Sequence, residues 1–142
     1  MQKIVNGYLR FKESGFEERK DLFEKLSKSQ NPEILFITCS DSRIDPSLIT
    51  QTEPGDLFVI RNAGNIVPPH TVESDGIVAS VEFAVVGLGV KHIVICGHSN
   101  CGAMKGALNT SGLSDLPKVR GWLNYCSEAV TIVQSRDRNL KS

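Results

Sequence analysis

The sequence has no excess of charge of either sign, since its 142 residues contain 16 Lys and Arg against 16 Asp and Glu. Nucleic acids and anionic membrane surfaces are bound through clustered basic charge, so this balance argues against either as the main partner. A long uninterrupted apolar run is also lacking. The most apolar stretch, residues 76–97, is broken by Glu82, Lys91 and His92. These charges and the imidazole exclude a membrane-spanning helix.

Two kinds of sequence signal are missing as well. Residues 1–15 contain no long apolar segment, so we expect no secretory signal. The glycines form neither the G-x-G-x-x-G pattern nor a P-loop, and a nucleotide cofactor is therefore not predicted. With no export signal, the four cysteines favour a reducing, cytoplasmic compartment. Cysteines there serve as metal ligands, nucleophiles or core residues more often than as disulfides.

The length and the composition predict a single globular domain over residues 1–142. A chain of this size buries enough surface for a core without disulfides, and its 40% apolar and 23% charged residues are typical of soluble globules. Apolar residues recur at helical spacing on both sides of Ser14-Gly15, which predicts an N-terminal helical arm over residues 1–30. Asn31-Pro32 ends the arm, and residues 31–142 form the core.

Three short apolar runs in the core, residues 34–38, 57–60 and 93–96, are rich in branched side chains. Because they are apolar on both faces, we interpret them as buried parallel strands. Helical patterns separate them, so the fold class is α/β, with a central, mainly parallel β-sheet flanked by helices.

Two of the intervening helices have recognisable starts. Asp45-Pro46 is typical of an N-cap followed by proline in the first helical position. Ser74 is the expected cap of the next helix. The apolar side of that helix is predicted to carry Ile77, Val78, Val81, Ala84, Val85 and Leu88.

Polar clusters follow the first and third strands, at residues 39–43 and 98–101. The carboxyl ends of parallel strands share one edge of the sheet, where ligands bind in open α/β folds. Cys39, His98 and Cys101 then offer two thiolates and one imidazole, a set that suits zinc and leaves a fourth position for water. The start of a helix predicted from Cys101 would further favour its thiolate form.

The remaining cysteines and histidines have simpler interpretations. Cys96 lies within an apolar strand and is expected to be a buried small side chain. We expect Cys126 to be a core or interface residue. His70 and His92 are not predicted to have a chemical role.

Asp41 and Arg43 can be interpreted in two ways. They could form a surface ion pair, which contributes little to stability. Alternatively, the carboxylate could accept a hydrogen bond from water at the metal, held ionised and oriented by a bidentate contact with Arg43. We favour the second interpretation because both residues lie in the crevice at the carboxyl ends of the strands.

The chain contains three motifs, Cys39-Ser40-Asp41-Ser42-Arg43, Arg61-Asn62-Ala63-Gly64-Asn65 and Gly97-His98-Ser99-Asn100-Cys101-Gly102. Together these motifs resemble the β-class carbonic anhydrases, in particular the plant-type branch and its bacterial members, including those associated with cyanate metabolism. The resemblance implies a zinc enzyme that reversibly hydrates carbon dioxide to bicarbonate and a proton by zinc-bound hydroxide. It also implies Cys39, His98 and Cys101 as the Zn2+ ligands, with Asp41 and Arg43 as a catalytic dyad.

The same resemblance implies a substrate pocket and an assembly. Phe58 and Ala63 match apolar pocket positions, and Gly102 matches a residue whose backbone amide faces the substrate. Gln30 matches a glutamine that reaches the pocket across a dimer interface. The chain would then form a homo-oligomer, a dimer or a multiple of dimers, in which the N-terminal helix embraces its partner.

The chain departs from this family pattern in three places. Ser74 stands where some plant-type members have a pocket tyrosine. Residues 36–38 lack the Trp-x-Gly pattern of members with a separate inhibitory bicarbonate site, so regulation of that kind is not expected. Family members also continue well beyond the position of Ser142, so a C-terminal strand at the sheet edge and further helices are expected to be missing here.

Two other functions remain open at this point. The same scaffold could hydrolyse carbon disulfide or carbonyl sulfide. The chain could also be a catalytically silent, zinc-bearing assembly subunit, since a fold does not guarantee activity.

Overall fold

The computed structural model describes residues 1–70 and 75–140, without the side chains of residues 137–140. Short π-helical or 3-10 turns extend several of its helices. In chain order, the helices and strands are α1 (Gln2–Arg10), α2 (Lys20–Leu26), β1 (Ile34–Cys39), α3 (Pro46–Thr50), β2 (Leu57–Asn62), α4 (Gly76–Glu82), β3 (His92–Cys96), α5 (Gly102–Leu108), α6 (Pro117–Leu123) and α7 (Ser127–Leu140).

The three described strands form a parallel sheet in the order β2-β1-β3. The predicted α/β fold class is therefore confirmed. In the register of the sheet, Cys39 is opposite Asn62 on one side, and Thr38 is opposite Cys96 on the other. The carboxyl ends of all three strands consequently lie at one edge, and the loops that follow them meet there.

Two buried clusters lie along the central strand β1. Leu35, Ile37, Ile60 and Ala84 form one buried cluster. Cys39, Ile44 and Cys101 form a second cluster at the carboxyl end of the sheet. Strand β1 is almost completely buried because it is covered by a neighbour on each side, and it holds Cys39 in a fixed position.

The strand predicted at residues 93–96 is present as β3 and is parallel to β1, but its predicted burial is wrong. Ile93, Val94 and Ile95 are 53%, 39% and 59% exposed, because β3 is an outer strand of the described sheet. An apolar run alone does not distinguish an inner strand from an outer one.

The helix after β2 agrees only in part with its prediction. Asp75 caps it by accepting hydrogen bonds from the amides of Ile77 and Val78, whereas Ser74, the predicted cap, lies outside the described residues. Val85 is 43% exposed instead of facing the core, and it lines a surface groove together with Val78 and Val81. Residues 83–87 form a π-helical turn, a departure from the regular helix that the prediction assumed.

The N-terminal arm has little contact with the core of its own chain. No residue of α1 is buried in the described chain. The rings of Phe11, Phe16 and Phe23 pack together with centroid distances of 5.4–6.3 Å and join the end of the arm's first helix to α2.

Among the described residues, none of the helices combines the length and the apolar character that a membrane span requires.

The start of α3 is as predicted. Asp45 is its N-cap, with Pro46 in the first helical position, and the Asp45 carboxylate accepts a hydrogen bond from the Leu48 amide at 2.9 Å. This cap fixes the end of the loop that leaves β1, which contains Asp41 and Arg43.

Candidate active site

Cys39, His98 and Cys101 come together at the carboxyl edge of the sheet, as their positions at strand ends predict. Their donor atoms all lie within 4.8 Å of one another, and the two sulfur atoms are 3.8 Å apart. Two sulfurs bound at 2.3 Å to one tetrahedral zinc ion would be about 3.8 Å apart. The donor set and its spacing therefore fit a single zinc ion.

The imidazole of His98 is oriented as a metal-binding histidine would be. Its Nδ1 is 3.0 Å from the carbonyl oxygen of Ser99. A carbonyl can only accept, so Nδ1 carries the proton and Nε2 presents a lone pair. Nε2 is buried and has no hydrogen-bond partner among the described residues. A buried acceptor without a protein partner is rare in folded proteins, and a lone pair held in this way fits a metal ion.

The surroundings of Cys39 stabilise its thiolate. Burial alone would raise the pKa of this thiol, but hydrogen bonds offset that effect. Hydrogen bonds from the backbone amides of Gly64 and Asp41, together with the nearby polar side chains of His98 and Cys101, lower the pKa of Cys39 to about 7. Because the thiolate is the metal-binding form of cysteine, this environment favours metal binding near neutral pH.

Gly64 occupies a position where only glycine fits. Its φ angle is +86°, and a Cβ atom there would lie 2.6 Å from Cε of Met104 and 3.1 Å from Cβ of Ala103. The close approach allows the Gly64 amide to donate to the sulfur of Cys39 at 3.4 Å. The glycine of this motif is therefore explained by backbone geometry and by access to the thiolate.

Asp41 and Arg43 form the bidentate pair that the sequence predicts. Arg43 Nε donates to Asp41 Oδ1 at 2.9 Å, and Nη2 donates to Oδ2 at 2.7 Å. These hydrogen bonds hold the pKa of Asp41 well below its usual range. Asp41 Oδ2 is also 3.8 Å from His98 Nε2, so the ionised carboxylate lies beside the candidate metal ligands.

Arg61 is a functional residue that sequence reasoning missed. From the end of β2, its guanidinium donates to the carbonyl oxygens of Cys39, Asp41 and Ile44 at 2.8–3.0 Å. It thereby fixes the loop that carries Cys39 and Asp41. The only sequence feature that could have pointed to this role was the place of Arg61 in the motif at residues 61–65. Its acceptors are backbone carbonyls, which no sequence pattern reveals.

Arg43 extends the same network to the other cluster. Its Nη2 donates to the carbonyl oxygen of Asn100 at 3.2 Å. The loop after β1 is therefore tied to the loop that carries His98 and Cys101. This link couples the position of the Asp41 carboxylate to that of two candidate ligands.

The predicted substrate-pocket residues fall into two groups. Ala63 and Gly102 are next to the site, since Ala63 precedes Gly64 and Gly102 follows Cys101. Gln30 is exposed and precedes β1, at the opposite end of the sheet from Cys39, and a six-residue strand separates the two ends by about 17 Å. Phe58 pairs with Leu35 and packs on the buried core cluster. Within one chain, Gln30 and Phe58 are therefore not brought to the cysteines.

The other cysteines and histidines stay outside the three-residue group. Cys96 is half-buried and packs against the Cys39 cluster, and its thiol donates to the carbonyl of Gly97. Cys126 is half-buried, and burial raises the pKa of its thiol. His70 and His92 are exposed.

Comparison with known proteins agrees with this geometry. The family model described as carbonic anhydrase matches residues 34–142. The solved structure of the β-carbonic anhydrase CcaA is 49% identical, with a TM-score of 0.93, and the match covers 98% of this chain and 68% of that one. The chain belongs to the β-class carbonic anhydrase family. A second solved β-carbonic anhydrase, described as tetrameric and from Sordaria macrospora, is 35% identical with a TM-score of 0.78, over 99% of this chain and 67% of that one.

Relatives of this carbonic anhydrase family member are found in several bacteria. The carbonic anhydrase of Synechocystis sp. is 54% identical over 88% of this chain and 46% of its own length. That of Pseudomonas aeruginosa is 52% identical over 91% of this chain and 59% of its own length. The chain thus spans about half of the length of these relatives.

Proposed function

We propose that the chain reversibly hydrates carbon dioxide to bicarbonate and a proton, with zinc held by Cys39, His98 and Cys101. The observation that carries the proposal is the buried, unpartnered Nε2 of His98, which lies beside two cysteine sulfurs 3.8 Å apart and an ionised carboxylate. When bound, zinc supplies the Lewis acidity that makes water nucleophilic near neutral pH.

Asp41 would orient the attacking water. Arg43 keeps the carboxylate ionised, so it can only accept hydrogen bonds. Oδ2 accepts from Arg43 and retains a further lone pair for the water. A water that donates its hydrogen to Asp41 turns an oxygen lone pair towards the substrate, which is the orientation that nucleophilic attack requires.

The substrate would lie between the loops after β2 and β3. Ala63 offers an apolar methyl group to carbon dioxide, and the backbone amide of Gly102 can donate to an oxygen of the substrate. Gln30 and Phe58 lie away from the cysteines of their own chain, so their proposed contribution is to the pocket of a partner subunit. A proton released by the reaction passes to buffer.

Substitution of Asp41 tests its role as the orienting group. We expect Asp41→Asn to lower turnover about 10–100-fold with zinc retained, because the neutral amide no longer accepts in the same way. Arg43→Ala should show a similar defect, since it removes the group that orients the carboxylate. Stopped-flow hydration and metal analysis measure both effects. Asp21→Asn, at an exposed position on α2, is the matched control, and wild-type rates in both site variants would contradict the role.

The function itself is tested on the 142-residue chain by zinc analysis combined with stopped-flow hydration of carbon dioxide. We expect one zinc per chain and hydration that a chelator abolishes. Parallel assays with carbonyl sulfide and carbon disulfide test the related hydrolysis. Zinc binding without hydration would contradict the proposal and favour a silent assembly subunit.

We also propose that residues 1–142 form one domain, with residues 1–30 as an arm, and that this domain forms homo-oligomers. The proposal is supported by the exposed apolar side of the arm and by the tetrameric relative from Sordaria macrospora. Two thiolate ligands need a reducing environment, so a cytoplasmic location suits the proposed site.

A further inference from the structure

We infer that Trp122 is a positioning residue for Cys39, acting through the single peptide group between Ala63 and Gly64. The indole Nε1 of Trp122 donates to the carbonyl oxygen of Ala63 at 2.8 Å. The amide of Gly64 donates to the sulfur of Cys39 at 3.4 Å. That carbonyl and that amide are the two ends of one peptide unit, so the indole and the thiolate are joined by two consecutive hydrogen bonds.

The planarity of the peptide makes this link mechanical. The carbonyl and the N–H of a trans peptide point in opposite directions and rotate together. When Trp122 holds the carbonyl, it therefore fixes the direction of the N–H towards Cys39. The bond is also electronic, because a carbonyl that accepts a hydrogen bond makes the N–H of the same unit a stronger donor.

The loop is built to hold this peptide in place. The side chain of Asn62 donates to the carbonyl of Ile66 at 2.9 Å and accepts from its amide at 2.8 Å, which closes the loop around Ala63 and Gly64. Trp122 reaches the Ala63 carbonyl from α6. The positive φ of Gly64 leaves the peptide free to take the required orientation without a side-chain clash.

The inference rests on the proposed function, because Cys39 is a metal ligand only under that proposal. It adds a residue from α6 to the groups that set the charge on the ligand sulfur. A thiolate that accepts a stronger hydrogen bond donates less electron density to a metal. Trp122 should therefore affect metal binding at Cys39 without contacting the metal, the substrate or the thiolate.

The test uses cobalt(II) as the metal, because its sulfur-to-metal charge-transfer band reports on the ligand thiolates independently of activity. Trp122→Phe keeps an aromatic ring and removes the donor. We expect its charge-transfer band to move to longer wavelength, because a weaker hydrogen bond leaves the sulfur more electron-rich. We expect its cobalt affinity, measured by chelator competition, to fall about tenfold, the lower end of such losses, because the peptide no longer holds Cys39 in position and this effect outweighs the gain in electron donation. Replacement of Trp122 by 3-benzothienylalanine, which keeps the bicyclic shape without the N–H, should give the same result.

Tyr125→Leu is the matched control. The Tyr125 ring packs edge-on against Trp122 at a centroid distance of 5.5 Å, so its removal disturbs indole packing and leaves the N–H donor. We expect the wild-type band in this variant. Unchanged band and affinity in both variants that lack the N–H would overturn the inference, as would an equal shift in Tyr125→Leu. Absence of any sulfur-to-cobalt band in the wild-type chain would instead refute the proposed metal centre, and the role of Trp122 with it.

Discussion

Replacing His98 by Ala is expected to remove zinc and carbon dioxide hydration together. A tetrahedral site with three protein ligands loses its metal when one is deleted, because two remaining ligands do not hold it at ordinary zinc concentrations. The same result is expected for Cys39→Ala and Cys101→Ala. Metal content by mass spectrometry and stopped-flow hydration measure the two losses.

The other cysteines are the controls for this prediction. Cys126→Ser changes a thiol on a different part of the chain, and Cys96→Ser changes one that packs against the same cluster. Both should keep zinc and activity, and circular dichroism checks that every variant is folded. Full zinc occupancy in Cys101→Ala would contradict the ligand assignment, as would zinc loss in Cys96→Ser.

The sequence could predict that the two polar clusters come together, because this requires only that each cluster follows a strand and that the two strands are neighbours. Cys39 ends one apolar run, and His98 follows another, so any parallel sheet that makes these strands neighbours places both clusters at one edge. Strand β1 begins at Ile34, as predicted, and runs one residue further than its predicted end. The bidentate pair of Asp41 and Arg43 could be predicted for a similar reason, since both residues lie in one short loop.

The groups that orient the site could not be predicted, because their partners are backbone atoms distant in the chain. Arg61 donates to three carbonyls of the preceding loop, and Trp122 donates to a carbonyl 59 positions away. No spacing rule connects such donors to their acceptors. The exposure of β3 was missed for a related reason, since an apolar run does not reveal how many strands lie beside it.

The apolar side of the N-terminal helix is a feature that a single chain leaves unexplained. Its side chains stay well exposed, although burial of one such side chain contributes about 1.5–3 kcal/mol. Lys3, Asn6 and Arg10 lie on the other side of the helix, so the apolar side is continuous. The exposed fractions of the apolar side chains are 70% for Ile4, 44% for Val5, 61% for Tyr8, 47% for Leu9 and 42% for Phe11.

We therefore expect removal of residues 1–12 to give monomeric or aggregated protein without hydration activity. In the proposed dimer this segment would embrace the partner subunit, and Gln30 would enter the pocket of that subunit. Ile4→Glu combined with Tyr8→Glu should have the same effect without truncation, since both side chains are already exposed in the single chain and their replacement leaves its core intact. Gln2→Glu with Asn6→Glu adds the same charge at the same spacing on the polar side, where the two side chains hydrogen-bond to each other at 2.9 Å, and should preserve both assembly and activity. Light scattering and stopped-flow hydration compare the variants, and a stable, fully active monomer would contradict the role of the arm.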